Sequence, residues 1–290
     1  MDIRITDVRH IPADSAFLID DGTTSVLCDS GFAFTGEDVA KNIRSVLGER
    51  NLDYIFLTHS HYDHALGAIY VRKHYPNAKI IATEYAANIF QKPSARQVMR
   101  DLDKKFSLIC GVQDYEDMID ELSVDVSVSD GDIINAGDMT FEVVSLPGHT
   151  KCSVGYYLKE EKLLLSSETL GIFDGKETIL PSYLVGYQMT LDSIRKIKSF
   201  DIKNILLSHQ GLLDEKDTAF FLDNIEKSAV ETAKELSDIL SSGKTAEDAM
   251  LYVKEKYYKG GIKDIYPIDA FNLNTSIMVR LIEREILGKS

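Results

Sequence analysis

Apolar positions in the first third of the chain fall in short runs separated by turns. Arg4–Val8, Ala16–Ile19 and Ser25–Cys28 read as short β-strands, punctuated by Asp20-Asp21-Gly22 and Ser30-Gly31. The period then changes. Across Glu37–Leu47, residues Val39, Ile43, Val46 and Leu47 share one helical face, and Gly48 supplies a stop. Asp53–Thr58 is a compact apolar strand, Leu66–His74 returns to helical spacing and ends before Pro76, and Lys79–Thr83 is again strand-like. This alternation of strand and helix predicts an α/β fold.

From Glu84 to about Leu122 the pattern is helical and polar, interrupted at Pro93 and Gly111. Strands return at Val124–Ser129, Ile133–Asn135, Thr140–Ser145, Val154–Leu158 and Lys162–Leu165. A helix over Met189–Phe200 leads to the strand Asn204–Ser208. The chain from Asp214 onward reads as helical, with Thr245-Ala246-Glu247-Asp248 as a capping start. No linker divides the chain. The expectation is one α/β domain over residues 1–213 with a helical insertion at about 84–122. A C-terminal helical extension, 214–290, is expected to cover the site as part of the same structural unit.

Composition narrows the functional classes. The 290 residues are 44% hydrophobic, enough for a full core. A net charge of −14 argues against a partner gripped through its phosphate backbone. The three cysteines, Cys28, Cys110 and Cys152, are widely spaced and odd in number, which gives no disulfide framework. The N-terminal stretch lacks the apolar core of a signal peptide, and no run approaches the roughly 20 apolar residues of a membrane span. These features predict a cytoplasmic protein acting on a small molecule, with neither nucleic acid nor membrane as partner; a homodimer stays open.

The chemistry concentrates in Thr58–Ala68, THSHYDHALGA. Three of the chain's seven histidines and an aspartate lie between His59 and His64, directly after an apolar strand. Residues i and i+2 of an extended segment point to the same side, so His59 and His61 suit one cation. The turn into the following helix redirects Asp63 and His64 towards a neighbouring point, as two-metal hydrolases require. Imidazole and carboxylate donors suit zinc, iron or manganese alike. Four side chains do not complete two sites. His149 and His209 also stand just after strands, and ligands of α/β sheets gather beyond the carboxyl ends of strands. His10 and His74 have no such company and read as surface or packing residues.

HSHYDH resembles the HxHxDH signature of the metallo-β-lactamase-fold hydrolase superfamily, with Gly67 following as it often does there. GHTKCSVGY (148–156) resembles the GHTxxS segment, and Leu27-Cys28-Asp29-Ser30-Gly31 resembles the family's apolar–apolar–Asp–Ser/Thr–Gly turn. The resemblance covers about residues 1–215. It implies an αβ/βα sandwich of two mixed β-sheets flanked by helices, here with extra C-terminal helices. It further implies one metal site of His59, His61 and His149 and a second of Asp63, His64 and His209. Glu168 stands where a bridging carboxylate belongs, and Asp29 would orient the histidine loop. Two positions depart from the family pattern. Glu168 replaces aspartate and carries one more methylene. Gln210 follows His209 where glycine is frequent, and is expected to crowd the site slightly.

The implied reaction uses two divalent or trivalent metal ions sharing a water whose pKa they lower. The resulting metal-bound hydroxide would attack a small ester or thioester, with the catalytic Asp63 orienting it and accepting a proton. A phosphodiesterase, a mononuclear iron oxygenase on the same fold, and a regulatory protein with a mainly structural metal site remain as alternatives. A weaker resemblance rests on Thr169–Asp174 and on the helical stretch from Phe271. It points to the quinolone-response thioesterase group, in which C-terminal helices form an apolar tunnel. Phe173, Tyr183, Leu184 and Tyr187 are the candidates to line such a pocket; ordinary packing is the alternative for each.

Overall fold

Strand and helix alternate through the first half of the computed structural model, which describes residues 3–289, and the chain divides into two compact units. Unit 1 comprises Met1–Ser145 with Val154–Glu161; unit 2 comprises Leu146–Ser153 with Lys162–Ser290. Met1, Asp2 and Ser290, at the limits of the expected domain and extension, lie outside the described residues.

Unit 1 is built on a mixed sheet. Strands β1 (Arg4–Asp7), β2 (Phe17–Asp20) and β3 (Ser25–Cys28) pair antiparallel. The sheet continues in parallel through β4 (Tyr54–Phe56), β5 (Lys79–Thr83) and β6 (Val126–Val128). Every residue of β2 and β3 is buried, as expected of strands covered on both faces. Helix α1 (Gly36–Leu47) buries Val39, Ala40, Ile43 and Leu47 and ends at Gly48, whose φ of 63° favours glycine. The predicted helix after the histidine motif is two pieces, α2 (Tyr62–Ala65) and α3 (Gly67–His74).

The insertion forms α4 (Glu84–Phe90) and α5 (Pro93–Ile109), so Pro93 opens a helix rather than merely breaking one. A meander of β7 (Ile133–Ala136), β8 (Met139–Ser145) and β9 (Val154–Leu158) supplies a second antiparallel layer. It packs on the first layer where Phe56 meets Phe141 at 5.2 Å and Tyr156 at 4.6 Å between ring centroids. The Tyr156 hydroxyl donates to the Leu57 carbonyl (2.8 Å) and the Val154 amide to that of Thr58 (2.9 Å). The end of β4, which launches the histidine loop, is thereby pinned from two sides.

Helix α5 is tied to the loop that follows β3. Asp103, fully buried, accepts from the Ala33 amide (2.8 Å) and from the Tyr115 hydroxyl. Phe106 stacks on Phe32 at 4.9 Å, and Phe32 in turn meets Tyr62 of α2 at 5.5 Å. Burial pushes the Asp103 carboxyl up to about 6, partly offset by those hydrogen bonds. Burial raises Asp14 as well, although Thr35 and backbone amides donate to it.

Unit 2 pairs β10 (Leu163–Leu165) in parallel with β13 (Asn204–Leu207), and β13 antiparallel with β14 (Gly211–Leu212). Between β10 and β13 lie a small hairpin of β11 (Ile172–Phe173) and β12 (Ile179–Leu180) and helix α6 (Tyr187–Ile197). The sequence pattern missed β11, β12 and β14 because two residues carry no periodicity. Helix α7 (Glu215–Ser241) starts at the Asp214 cap and buries Phe221, Ile225, Ala229, Ala233, Leu236 and Leu240 along one stripe. Helices α8 (Ala246–Tyr257), α9 (Gly260–Ile265) and α10 (Ile268–Glu285) complete the helical C-terminal region. The expected capping box at Thr245 and Asp248 forms, and α10 packs on α7 and α8. The chain is thus α/β with mixed β-pairing and added C-terminal helices. No helix among the described residues is long and apolar enough to cross a membrane.

Candidate metal centre

In unit 1 the histidine loop leaves β4 extended and enters α2 at His61, the N-cap, whose φ/ψ of −72°/152° is still extended. His59 and His61 therefore precede the helix, while Asp63 and His64 ride on it. Their rings gather: His59 lies 4.7 Å from His61 and 4.0 Å from His64 between centroids. His59 and His61 bring ligand atoms within 4.8 Å of one another, as do Asp63 and His64. His59 and His64 are fully buried, whereas His61 and Asp63 retain partial exposure.

The group is organised by Asp29. This residue sits after β3 with φ 54°, an uncommon conformation for a non-glycine and one met at functional sites. Its buried carboxylate accepts from Ser15 Oγ (3.0 Å), the Thr58 amide (2.8 Å), the Thr58 hydroxyl (2.9 Å) and His64 Nδ1 (2.7 Å). A carboxylate beside Nδ1 places the His64 proton there and leaves Nε2 as the donor atom. The Thr58 hydroxyl spends its one proton on Asp29, so at 3.0 Å it accepts from His59 Nδ1–H, and His59 also presents Nε2. One carboxylate thus orients two imidazoles, directly and through a threonine. The Ser30 amide and hydroxyl both donate to the His64 carbonyl, at 2.7 and 2.8 Å. Gly67 meets the same turn so closely that a Cβ there would stand 1.8 Å from the Ser30 carbonyl oxygen. Only glycine fits where α3 abuts the Asp29 turn.

In unit 2 the side chains come from three separate loops. His149 follows Gly148, and its amide donates to Thr169 Oγ1 (3.2 Å). Its Nδ1 faces the Ser182 hydroxyl at 2.8 Å and the Ser182 carbonyl at 3.2 Å. A carbonyl only accepts, so Nδ1 carries the proton and Nε2 is again the donor atom. Glu168 lies in the single turn Glu168–Leu170 after β10 and is buried. One of its oxygens is 2.8 Å from His149 Nε2 and the other 3.5 Å from His209 Nε2. The extra methylene relative to aspartate therefore still lets one carboxylate face two imidazoles. His209 occupies the β13–β14 turn with φ 63°, a second candidate-site residue in the left-handed region.

Gln210 does not crowd this group. Its side chain lies against the β11–β12 hairpin, and with the amide oriented so that both of its groups are satisfied, the oxygen accepts from the Gly175 amide (3.2 Å) and the nitrogen donates to the Phe173 carbonyl. Among the pocket candidates, Phe173 is fully buried and packs on Phe220 (5.8 Å) and Phe221 (5.9 Å). Tyr183 is fully buried against Tyr187 at 5.4 Å, and burial pushes its hydroxyl well above its ordinary pKa. Leu184 lines a cavity of about 10 Å³ with Ser182, Tyr266, Phe271 and Met278, space for about one water. His10 and His74 are about half exposed and face the carboxylates of Asp38 (3.8 Å) and Glu37 (2.6 Å) on α1. Sequence reasoning assigned no role to Thr58, Ser15 or Ser182. Only Thr58 carried a signal, its place beside a candidate ligand; Ser182 lies 33 positions from the histidine it orients.

An α/β fold that sets imidazole and carboxylate donors at strand ends, with the His59, His64 and His149 rings each turned by an acceptor on the far nitrogen, is the build of a metal-dependent hydrolase. The family model described as the metallo-beta-lactamase superfamily matches residues 13–209, and the chain belongs to that superfamily. A hydroxyacylglutathione hydrolase of Vibrio vulnificus is 26% identical over 251 residues, spanning 84% of this chain and 83% of that protein. Among solved structures, a metallo-beta-lactamase family protein from Thermus thermophilus superposes with a TM-score of 0.63 at 16% identity, over 94% of this chain and 88% of that one. An archaeal superfamily member from Sulfolobus tokodaii also gives 0.63, at 17% identity and 98% coverage of both chains. The likeness to these structures is one of fold. Family and relatives together make this chain an enzyme of the metal-dependent hydrolase class.

Proposed function

We propose that the chain hydrolyses a small thioester or ester with two metal ions. In this reading His59, His61 and His149 would hold one ion and Asp63, His64 and His209 the other, with Glu168 as a carboxylate that would be available to both. The observation that carries it is Glu168, whose two carboxylate oxygens face two different imidazoles within unit 2. The donor chemistry fits such ions, since Asp29, Thr58 and Ser182 turn His64, His59 and His149 to present Nε2. Nitrogen and carboxylate donors suit zinc, iron and manganese.

When bound, the ions supply Lewis acidity and a water of lowered pKa. The residues do the rest. Asp29 and Ser182 hold the imidazoles so that no ring reorients during turnover. Asp63, partly exposed at the start of α2, is placed to orient the attacking water and take its proton. The bond between an acyl group and glutathione is a thioester, which makes the hydroxyacylglutathione hydrolase relative the support for that substrate class. We place the protein in the cytoplasm, in keeping with its three thiol cysteines and acidic charge.

The test compares wild type with Asp63→Ala on thioester, ester and phosphodiester substrates, with bound metal measured by elemental analysis. About two metals per wild-type chain and a fall of roughly 10²–10⁴-fold in thioester hydrolysis are expected. Equal rates for both proteins across the panel, with metal retained, would sink the reading.

A further inference from the structure

The two positions at which this chain departs from the family pattern, Glu168 and Gln210, belong to one hydrogen-bonded assembly. Gln210 immediately follows His209 in the three-residue turn between β13 and β14, where the Gln210 amide donates to the Ser208 carbonyl (2.8 Å). Its side chain reaches across to the hairpin, accepting from Gly175 and donating to Phe173. Phe173 is five residues beyond Glu168, and the chain between them is a single turn closed by Gly171. The Gly171 amide donates to the Glu168 carbonyl (2.9 Å), and a Cβ on Gly171 would stand 2.8 Å from the Leu180 carbonyl oxygen. The link from Gln210 to the Glu168 backbone is therefore short and has little slack. At its other end His209 is held with φ 63°, in the left-handed region that few non-glycine residues adopt.

We propose that Gln210 is a positioning residue. Its amide sets the separation of the His209 imidazole and the Glu168 carboxylate, so that a glutamate, longer than the family's aspartate, meets His209 at the right depth. Glu168 and Gln210 form a matched pair, and glycine at 210 suits an aspartate at 168. The inference rests on the dinuclear reading above and adds the residue that adapts it to glutamate.

The experiment measures bound metal and its affinity in wild type, Gln210→Gly, Glu168→Asp and the double variant, together with the melting temperature of each metal-free protein. Gln210→Gly is expected to bind the second ion about 10–100-fold more weakly, while its metal-free melting temperature stays near that of wild type. Adding Glu168→Asp to Gln210→Gly is expected to recover most of the loss, a coupling that a merely structural glutamine would not produce. Should Gln210→Gly fold poorly, Gln210→Met keeps the volume, removes both hydrogen bonds and is expected to show the same loss. Two ions bound with wild-type affinity by either variant overturn this inference alone, and so do losses that simply multiply in the double variant. A wild-type chain that binds no metal overturns the dinuclear reading and this inference together.

Discussion

The histidine loop of unit 1 and the ligand group of unit 2 reach similar chemistry by opposite routes. In unit 1 four candidate ligands occupy six consecutive residues, and two of their imidazoles depend on one buried carboxylate, Asp29. In unit 2 three candidates are drawn from loops as far apart as His149 and His209. His149 is held by a backbone carbonyl as well as a hydroxyl, and His209 by the shape of a tight turn. Ligands that are neighbours in sequence share an orienting group, so one substitution reaches several of them. The dispersed ligands His149 and His209 are fixed by separate contacts, the first by Ser182 and the second by its own turn, which spreads the consequences of any one change.

The sharpest break in this comparison comes from Asp29→Asn. An amide in place of the carboxylate sets NH2 against donors either way it turns: the His64 Nδ1–H and the Thr58 and Ser15 hydroxyls at one oxygen's position, the Thr58 amide at the other's. A loss of about 3–4 kcal/mol is expected, with metal affinity lowered roughly 10–100-fold. Thermal unfolding and equilibrium metal titration check both. An Asp29→Asn protein with wild-type stability and affinity would show that the unit 1 ligands do not share one support.

A smaller effect comes from pH. Asp14 and Asp103, the described carboxylic acids that burial raises, belong to unit 1, which also holds the lowered Asp7, Asp20, Asp21 and Glu37; in unit 2 Asp174, Glu226 and Asp248 are lowered. Asp103 moves from 3.8 to about 6 on folding. Its neutral form is the favoured one, so its contribution is full below pH 3.8 and is lost as pH rises through 6. The change corresponds to roughly 2–3 kcal/mol. Amide hydrogen exchange at α5 and residues 32–35 is expected to quicken between pH 4 and 7 beyond its intrinsic rate. Asp103→Asn should flatten that trend. The lowered acids of both units act with the opposite sign, adding stability above their ordinary pKa.

The smallest effect is expected from Ser182→Ala. The hydroxyl at 2.8 Å is lost, but the Ser182 carbonyl at 3.2 Å still accepts from His149 Nδ1. Metal affinity should fall by less than about tenfold, near 1 kcal/mol. A loss as large as that of Asp29→Asn would erase the contrast between the two groups.

Much of the architecture was legible because it rests on long, regular signals. The apolar runs became β2, β3, β4 and β9, the Val39–Leu47 face became α1, and Thr245 capped α8. Short elements escaped, since β11, β12 and β14 exist only through pairing with neighbours. Helix α6 begins at Tyr187, two residues before the expected start, because Gly186 supplies its N-cap. The crowding expected of Gln210 is absent because the side chain finds partners on a hairpin whose existence no periodicity announced.

The sequence by itself determined the superfamily and pointed to the candidate donors, because a cluster of histidine and aspartate after an apolar strand has few uses other than holding metal. That only glycine fits at 67 was decided by the tertiary structure, where a Cβ would stand 1.8 Å from the Ser30 carbonyl oxygen. Only the tertiary structure decided which nitrogen each histidine presents, because that depends on acceptors such as Asp29 and Ser182 brought in from distant positions. Only it decided, too, that the two departures from the family pattern are linked. Hydrogen bonds between Gln210 and the segment after Glu168 arise from chain packing, to which local periodicity is blind.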